Sequence, residues 1–240
     1  MPLSFPTFSG RCLLLGLLSI VASMAPLSEA AAQRAAFAPI EEDPALPRVL
    51  LLGDSISIGY TLDVRKELKG TANVLRPAAN CGPTTRGVAN LDQWLGDGSW
   101  DVIHFNFGLH DLKYIGPSGD GLAQVDAPQS RQQVPLPEYR KHLQQIVDRL
   151  QKTGATLIWC STTPVPEGSR GRVQGDAAKY NGAALEIMQQ EGIAVDDLFA
   201  TATAKLAEIQ RPANVHFTSA GSAYLAKQVA AEIRQALPPR

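Results

Sequence analysis

The sequence predicts one α/β domain built on a five-stranded parallel sheet, and two observations lead to that fold class. First, five short apolar runs of strand length alternate with longer segments of helical spacing. Second, the runs are apolar at nearly every position, as expected of strands that are covered on both faces. A folded part of about 190 residues is long enough to enclose its own core.

Each strand is predicted from an apolar run that ends at a turn signal, the clearest being Arg48-Val-Leu-Leu-Leu-Gly53. In chain order, the strand candidates are residues 48–53, 72–76, 101–107, 156–160 and 193–195. The helices are predicted from apolar residues on one stripe. In chain order, they are residues 57–70, 86–95, 138–153, 176–191, 197–209 and 219–237. Residues 114–137 have no periodicity and predict a long loop, either disordered or serving as a lid.

The N-terminal residues 1–32 predict a secretory signal peptide. Arg11 supplies the positive charge, residues 13–22 supply the apolar centre, and small residues before positions 31 and 33 suit cleavage. An uncleaved anchor is the alternative, although the apolar run is short for a membrane span. We therefore expect a secreted or periplasmic protein.

The composition narrows the class of the remaining chain. A net charge of −1 argues against a nucleic-acid partner, and a hydrophobic content of 45% argues against disorder. No integral membrane segment is expected once the signal is removed. Residues 33–47 predict a linker and residues 48–238 the folded domain. Cys81 and Cys160 are expected to be free thiols, because their strands are not neighbours in the expected order.

Catalytic candidates lie where the predicted strands end, which is where parallel sheets place their sites. Ser55 stands at the turn from the first strand into a helix, beside backbone N–H groups that can stabilise an oxyanion. A simple helix cap is the alternative role for this turn. A serine needs a base, and His110 and His216 fall in loops near strand ends. His104 lies within a strand and His142 on an amphipathic helix, so both are predicted to be structural or surface residues.

These motifs resemble the four sequence blocks of the SGNH (GDSL) hydrolases, in the family order and over nearly all of residues 48–237. In the first block, Ser55 matches the nucleophile; Gly82 matches the second-block glycine. The third block, normally G-x-N-D, is Gly108-Leu-His-Asp111. The last block, normally D-x-x-H, is Ala213-Asn-Val-His216.

The resemblance implies a three-layer flavodoxin-like fold and serine ester hydrolysis without a cofactor or metal. It implies His216 as general base and an oxyanion hole made by the N–H groups of Ser55 and Gly82 with a side chain of the third block. The implied partner is a small-molecule or glycan acyl ester, with acetyl groups on carbohydrate as first choice. A lipid-type acyl ester or a thioester is the alternative.

Two positions depart from the family pattern. His110 replaces the third-block asparagine, and we expect it to donate to the oxyanion as a neutral imidazole. Ala213 replaces the aspartate that would orient His216. A backbone carbonyl or Asn214 can take that place, as can a carboxylate from another loop. The carboxylate candidates are Asp54, Asp111 and Asp197.

Supporting roles and competing functions complete the expectations. Asp54 and Asp111 are expected to bond backbone N–H groups of nearby loops, and Gly108 completes the third block. Because of Ala213, a catalytically weak binding protein with this fold is an alternative function. A metal hydrolase built on His104, His110 and Asp111 is a third, but no H-E-x-x-H or C-x-x-C spacing supports it.

Overall fold

A computed structural model of the protein describes Met1, residues 29–119 and residues 121–239. The strands are β1 (Arg48–Leu52), β2 (Asn73–Leu75), β3 (Val102–Phe105), β4 (Tyr114–Ile115), β5 (Arg131–Gln132), β6 (Thr156–Cys160) and β7 (Ala194–Asp196). Five of them form one parallel sheet in the order β2-β1-β3-β6-β7. The predicted α/β fold with a central five-stranded parallel sheet is confirmed.

Helices cover both faces of this sheet. They are α1 (Glu29–Phe37), α2 (Ser55–Glu67), α3 (Thr84–Leu95), α4 (Leu136–Gln151), α5 (Asp176–Glu191), α6 (Leu198–Thr203), α7 (Leu206–Ile209) and α8 (Ser219–Ala236). Alternate residues of β1 point to opposite faces, so Leu50 and Leu52 pack with α3, α4 and α5. Val49 and Leu51 pack with α2 and α8 on the other face. The result is the predicted three-layer arrangement.

The N-terminal segment differs from the predicted linker over residues 33–47. Its first five residues belong to α1, in which Ala36 is fully buried. The Ala35 carbonyl accepts a hydrogen bond of 3.2 Å from Arg65, and Asn73 bonds the backbone of Asp43. Alanine favours helix without leaving an apolar period, so the pattern could not indicate this element. Of the predicted signal peptide, residues 2–28 lie outside the described part, and residues 29–32 begin α1.

Two further stretches are more ordered than the sequence predicts. The predicted loop 114–137 contains the antiparallel pair β4 and β5, each too short for an alternating pattern to be visible. The predicted helix 197–209 is divided into α6 and α7 at Lys205, whose φ of −134° leaves the helical region. Among the described helices, none is both long and apolar enough to cross a membrane.

Candidate active site

The turn between β1 and α2 carries Ser55. Asp54 caps α2 by accepting the Ile56 N–H at 2.9 Å, so the backbone N–H of Ser55 stands in the first helical turn, where it has no acceptor within the helix. Gly53 leaves no room for a side chain, because a Cβ there would lie 2.7 Å from the Cβ of Ser57. Asp54 therefore supports its own turn, and not a neighbouring loop as predicted.

Arg76 holds this turn in place. The sequence patterns did not identify it as a residue of the site. Its buried guanidinium donates to the Gly53 carbonyl at 3.3 Å, to Ser57 Oγ at 3.2 Å and to Thr61 Oγ1 at 2.8 Å. Burial lowers its pKa. One signal could have identified it: a single arginine directly after β2, at the carboxyl edge of the sheet, where sites form. We describe Arg76 as a positioning residue for the Ser55 turn.

His216 reaches Ser55 from the other end of the chain, with its Nε2 at 2.9 Å from Ser55 Oγ. The loop that carries His216 lies between α7 and α8. Contacts on both sides of His216 hold this loop in place. Gln210 pairs with Phe217, and the Gln210 amide donates to the carbonyls of Pro164 and Val215. The structure therefore brings together the two residues predicted as nucleophile and base.

Asn214 occupies the place that the missing aspartate leaves open. Its Oδ1 lies 2.9 Å from the backbone N of His216 and 2.8 Å from His216 Nδ1. Because a backbone N–H can only donate, the Asn214 atom facing it must be the carbonyl oxygen. The same oxygen then accepts a hydrogen from Nδ1, so Nδ1 carries the proton and Nε2 presents its lone pair to Ser55. Asn214 thus selects the tautomer that a general base requires.

The three carboxylates considered as partners of His216 are bonded elsewhere. Asp54 caps α2, as described above. Asp197 caps α6 by accepting the Ala200 N–H and also accepts from Ser161 Oγ. Asp111 bonds Thr84. Ala213 adopts a left-handed φ of 50°, and its side chain is not a partner of the histidine. Asn214 is therefore the substitute that the structure assembles.

Asp111 has the predicted architectural role. Its Oδ1 accepts both the N–H of Thr84, at 2.8 Å, and the Thr84 hydroxyl, so it caps α3, whose own cap residue Pro83 makes no side-chain bond. The preceding Gly108 is required by packing, since a Cβ would overlap Thr162 Oγ1. These contacts hold the third block against the second.

Burial raises the pKa of Asp111 to about 7, and its Oδ2 has no hydrogen-bond partner among the described residues. The folded state therefore holds a proton that the unfolded state releases near pH 4, so this group lowers stability as pH rises from about 4 to about 7. Asp111→Asn keeps the acceptor oxygen and removes the titration. We expect the variant to gain free energy of unfolding relative to the wild type at pH 8, and not at pH 4.

Urea denaturation of both proteins at the two pH values measures this difference. Asp97→Asn, which changes an exposed carboxylate, is the matched control and is expected to show no such pH dependence. Equal losses of stability in Asp111→Asn at both pH values would contradict the assignment of a raised pKa.

Gly82 and His110 line the same open cleft, which has a volume of about 600 Å³. Desolvation lowers the pKa of His110 to about 4, so the ring is neutral at neutral pH, and Asp54 and His216 are close enough to influence it. Neither ring nitrogen has a hydrogen-bond partner among the described residues. Gly82, at φ 63°, donates its N–H to Asn80 Oδ1 at 3.0 Å. In this structure that N–H is therefore already bonded, and its role as an oxyanion donor stays a prediction.

The ligands considered for a metal hydrolase are not brought together. His104 is a buried residue of β3, where its Nε2 is 2.9 Å from Asp196 Oδ2, and Cys160 is a further neighbour with ligand chemistry. Asp111 is bonded to Thr84 instead. Both described cysteines, Cys81 and Cys160, are buried free thiols, and burial raises their pKa values, as is typical of inert cysteines.

Known proteins share a family model and the fold with this chain. A family model described as the GDSL-like lipase/acylhydrolase family matches residues 51–224. A solved lipase/acylhydrolase from Enterococcus faecalis is similar in fold, with 18% identity and a TM-score of 0.66 over 81% of this chain and 98% of that chain. An acetylxylan esterase from Geobacillus stearothermophilus has 17% identity and a TM-score of 0.63 over 78% and 94%. No curated protein matches the sequence.

Proposed function

Because the chain belongs to the GDSL-like lipase/acylhydrolase family and is an ester hydrolase, we propose that it cleaves a small acyl ester with Ser55 as nucleophile and His216 as base. The observation that carries the proposal is the chain of contacts from Asn214 through His216 to Ser55, with distances of 2.8 Å and 2.9 Å. This is the arrangement that activates a hydroxyl, because each group sets the proton position of the next.

In the proposed reaction, Ser55 Oγ attacks the ester carbonyl carbon while its proton passes to His216 Nε2. The carbonyl electrons move to oxygen, and the oxyanion is stabilised by the Ser55 N–H and by the His110 ring, with Gly82 as a further donor once released. The imidazolium then protonates the departing alcohol as the carbon–oxygen bond breaks. Water, deprotonated by His216, attacks the acyl-serine, and Ser55 leaves with the proton.

The acyl group that we favour is acetyl, on a carbohydrate. Acetyl xylan esterases are among the solved proteins of similar fold, which supports this choice. A lipase/acylhydrolase is among the others, so a longer acyl chain is the second candidate. We also propose that the protein is exported to the periplasm or the medium, on the basis of the signal-peptide pattern in residues 1–32.

The proposal is tested by labelling the folded protein with a fluorophosphonate and by hydrolysis of p-nitrophenyl esters from acetate to decanoate. We expect labelling at Ser55 and the highest kcat/KM with acetate, with a decline for longer chains. Ser222→Ala, which removes another serine of a helical first turn, is the matched control and is expected to label normally. A folded protein that takes up no label at Ser55 would refute the serine mechanism.

His110 gives a separate test of the oxyanion hole. We expect His110→Ala to lower kcat by about 10²- to 10³-fold, because it removes a donor that acts on the developing charge. His110→Asn restores the residue of the family motif and is expected to recover most of that loss. The measurement is kcat for p-nitrophenyl acetate. A wild-type rate in His110→Ala would remove this side chain from the reaction.

A further inference from the structure

The cleft that contains Gly82 and His110 is lined by cationic and polar residues. The lining residues are Asn80, Gly82, Pro83, Thr85, Arg86, His110, Lys113 and Gln133. No carboxylate is among them, although the chain as a whole has nearly equal numbers of acidic and basic residues. The local charge of the cleft therefore differs from the net charge of the protein.

Arg172 adds a further cation beside Lys113. The backbone N–H of Tyr114 donates to the Gly171 carbonyl at 2.8 Å, which places the segment of Arg172 against the segment of Lys113. Both side chains are partly buried, and burial together with their mutual repulsion lowers the pKa of Lys113. The acidic groups that influence this pair are Asp54 and Asp111. Asp54 already accepts a backbone N–H of its own turn, and Asp111 accepts one from α3.

Several cations elsewhere on this molecule do have a nearby carboxylate. Arg48 pairs with Glu42, Arg140 with Glu186, Arg149 with Asp92 and Arg234 with Glu67, each within 4 Å. Among the described residues, Lys113 has no such acceptor, and the Arg172 guanidinium has only the Leu109 carbonyl, at 3.4 Å. Two partly desolvated like charges cost free energy that a bound anion would offset.

Gln133 indicates the kind of molecule that carries the anion. Gln133 lines the cleft, and its Oε1 is buried without a hydrogen-bond partner among the described residues. A buried amide oxygen of this kind calls for a donor, such as a hydroxyl group. Cations and an amide with an unused acceptor beside one cleft fit an alcohol that carries both hydroxyl and anionic groups.

We propose that the substrate is an ester of an acidic carbohydrate, with the anionic group bound by Lys113 and Arg172 and with Arg86 at the mouth of the cleft. This inference rests on the proposed esterase function. It assigns the negative charge to the alcohol part of the ester, because an acetyl group carries no charge. A carboxylate or a sulfate would satisfy the same chemistry. Acetylated polygalacturonate, acetylated sulfated galactan and neutral acetylated xylan distinguish these sources as polymer substrates.

The test compares two acetate esters that differ in charge, 4-acetoxybenzoate and 4-acetoxybenzamide. The enzymatic rate for each ester is corrected for the intrinsic reactivity of that ester, measured as its rate of hydrolysis by hydroxide. We expect the wild type to favour the anion by about tenfold or more in kcat/KM, through KM, and to lose that preference as salt rises. Lys113→Gln and Arg172→Gln are each expected to bring the ratio toward one. Lys152→Gln, which removes an exposed cation at the opposite end of the strands, is the matched control and is expected to keep the wild-type ratio.

Binding to Ser55→Ala keeps this inference separate from catalysis. Calorimetry is expected to show tighter binding of 4-acetoxybenzoate than of the amide, and Lys113→Gln in the same background is expected to abolish the difference. If hydrolysis fails but this discrimination is present, the proposed esterase is wrong and the anion site stands. Equal binding and equal hydrolysis of the two esters, unchanged in the Lys113 and Arg172 variants, would overturn the anion site.

Discussion

Ser55→Ala is expected to lower kcat for p-nitrophenyl acetate by about 10⁵- to 10⁶-fold, and His216→Ala by a similar factor. The reason is that the 2.9 Å contact between Ser55 Oγ and His216 Nε2 makes the two residues one unit. Without the base, the hydroxyl is a weak nucleophile, and without the hydroxyl, the base has nothing to activate. The double variant is therefore expected to lose no more than either single variant.

Stopped assays with purified protein measure these rates, and His142→Ala is the matched control for removal of a histidine. His142 lies on α4 and is expected to leave kcat near the wild-type value. Additive losses in the double variant would show that Ser55 and His216 act independently. That result would contradict the proposed proton transfer between them.

Asn214→Ala is expected to lower kcat by about 10²- to 10⁴-fold, because it removes the oxygen that holds the proton on Nδ1 of His216. In the serine-protease triad, replacing the aspartate by asparagine costs about 10⁴ because the wrong tautomer results. That penalty does not apply to Asn214, since the backbone N–H of His216 fixes its oxygen toward the ring. An amide and a carboxylate at this position select the same tautomer of His216. They differ only in charge.

Asn214→Asp separates these two contributions. A carboxylate at the same place favours the imidazolium, so the acidic limb of the kcat/KM profile is expected to move to higher pH, with a plateau equal to or above that of the wild type. Ala213→Asp restores the residue of the family motif and is expected to give no gain, because Asn214 already occupies Nδ1. A wild-type rate in Asn214→Ala would mean that His216 is oriented by another group.

Much of the fold could be predicted because each buried strand appears in the sequence as a short apolar run. The strand at residues 156–160 and the helix at residues 176–191 have the predicted limits, since apolar runs and helical stripes reflect burial on the two faces of the sheet. The helix α1 could not be predicted, because its contact with the domain depends on small residues and on single bonds such as that from Arg65 to the Ala35 carbonyl. Such bonds leave no periodic pattern.

The candidate site also contains residues that could be predicted from the sequence and others that could not. Ser55 and His216 could be identified because each stands in a recognisable block, and their contact agrees with the role expected of them. The sequence left the partner of His216 open among several residues, because only the three-dimensional path of the loop decides which of them faces Nδ1. Arg76 could not be found from spacing at all, since its bonds reach across to a turn more than twenty positions earlier.

The contact between Ser55 and His216 joins positions 161 residues apart, and the loop of His216 lies directly before the last helix. During synthesis, the nucleophile leaves the ribosome long before its base does. A chain that stops short of the His216 loop holds a serine turn with no proton acceptor and cannot hydrolyse esters by this route. The return of activity after denaturation therefore reports the docking of the C-terminal helix, a late and non-local folding event.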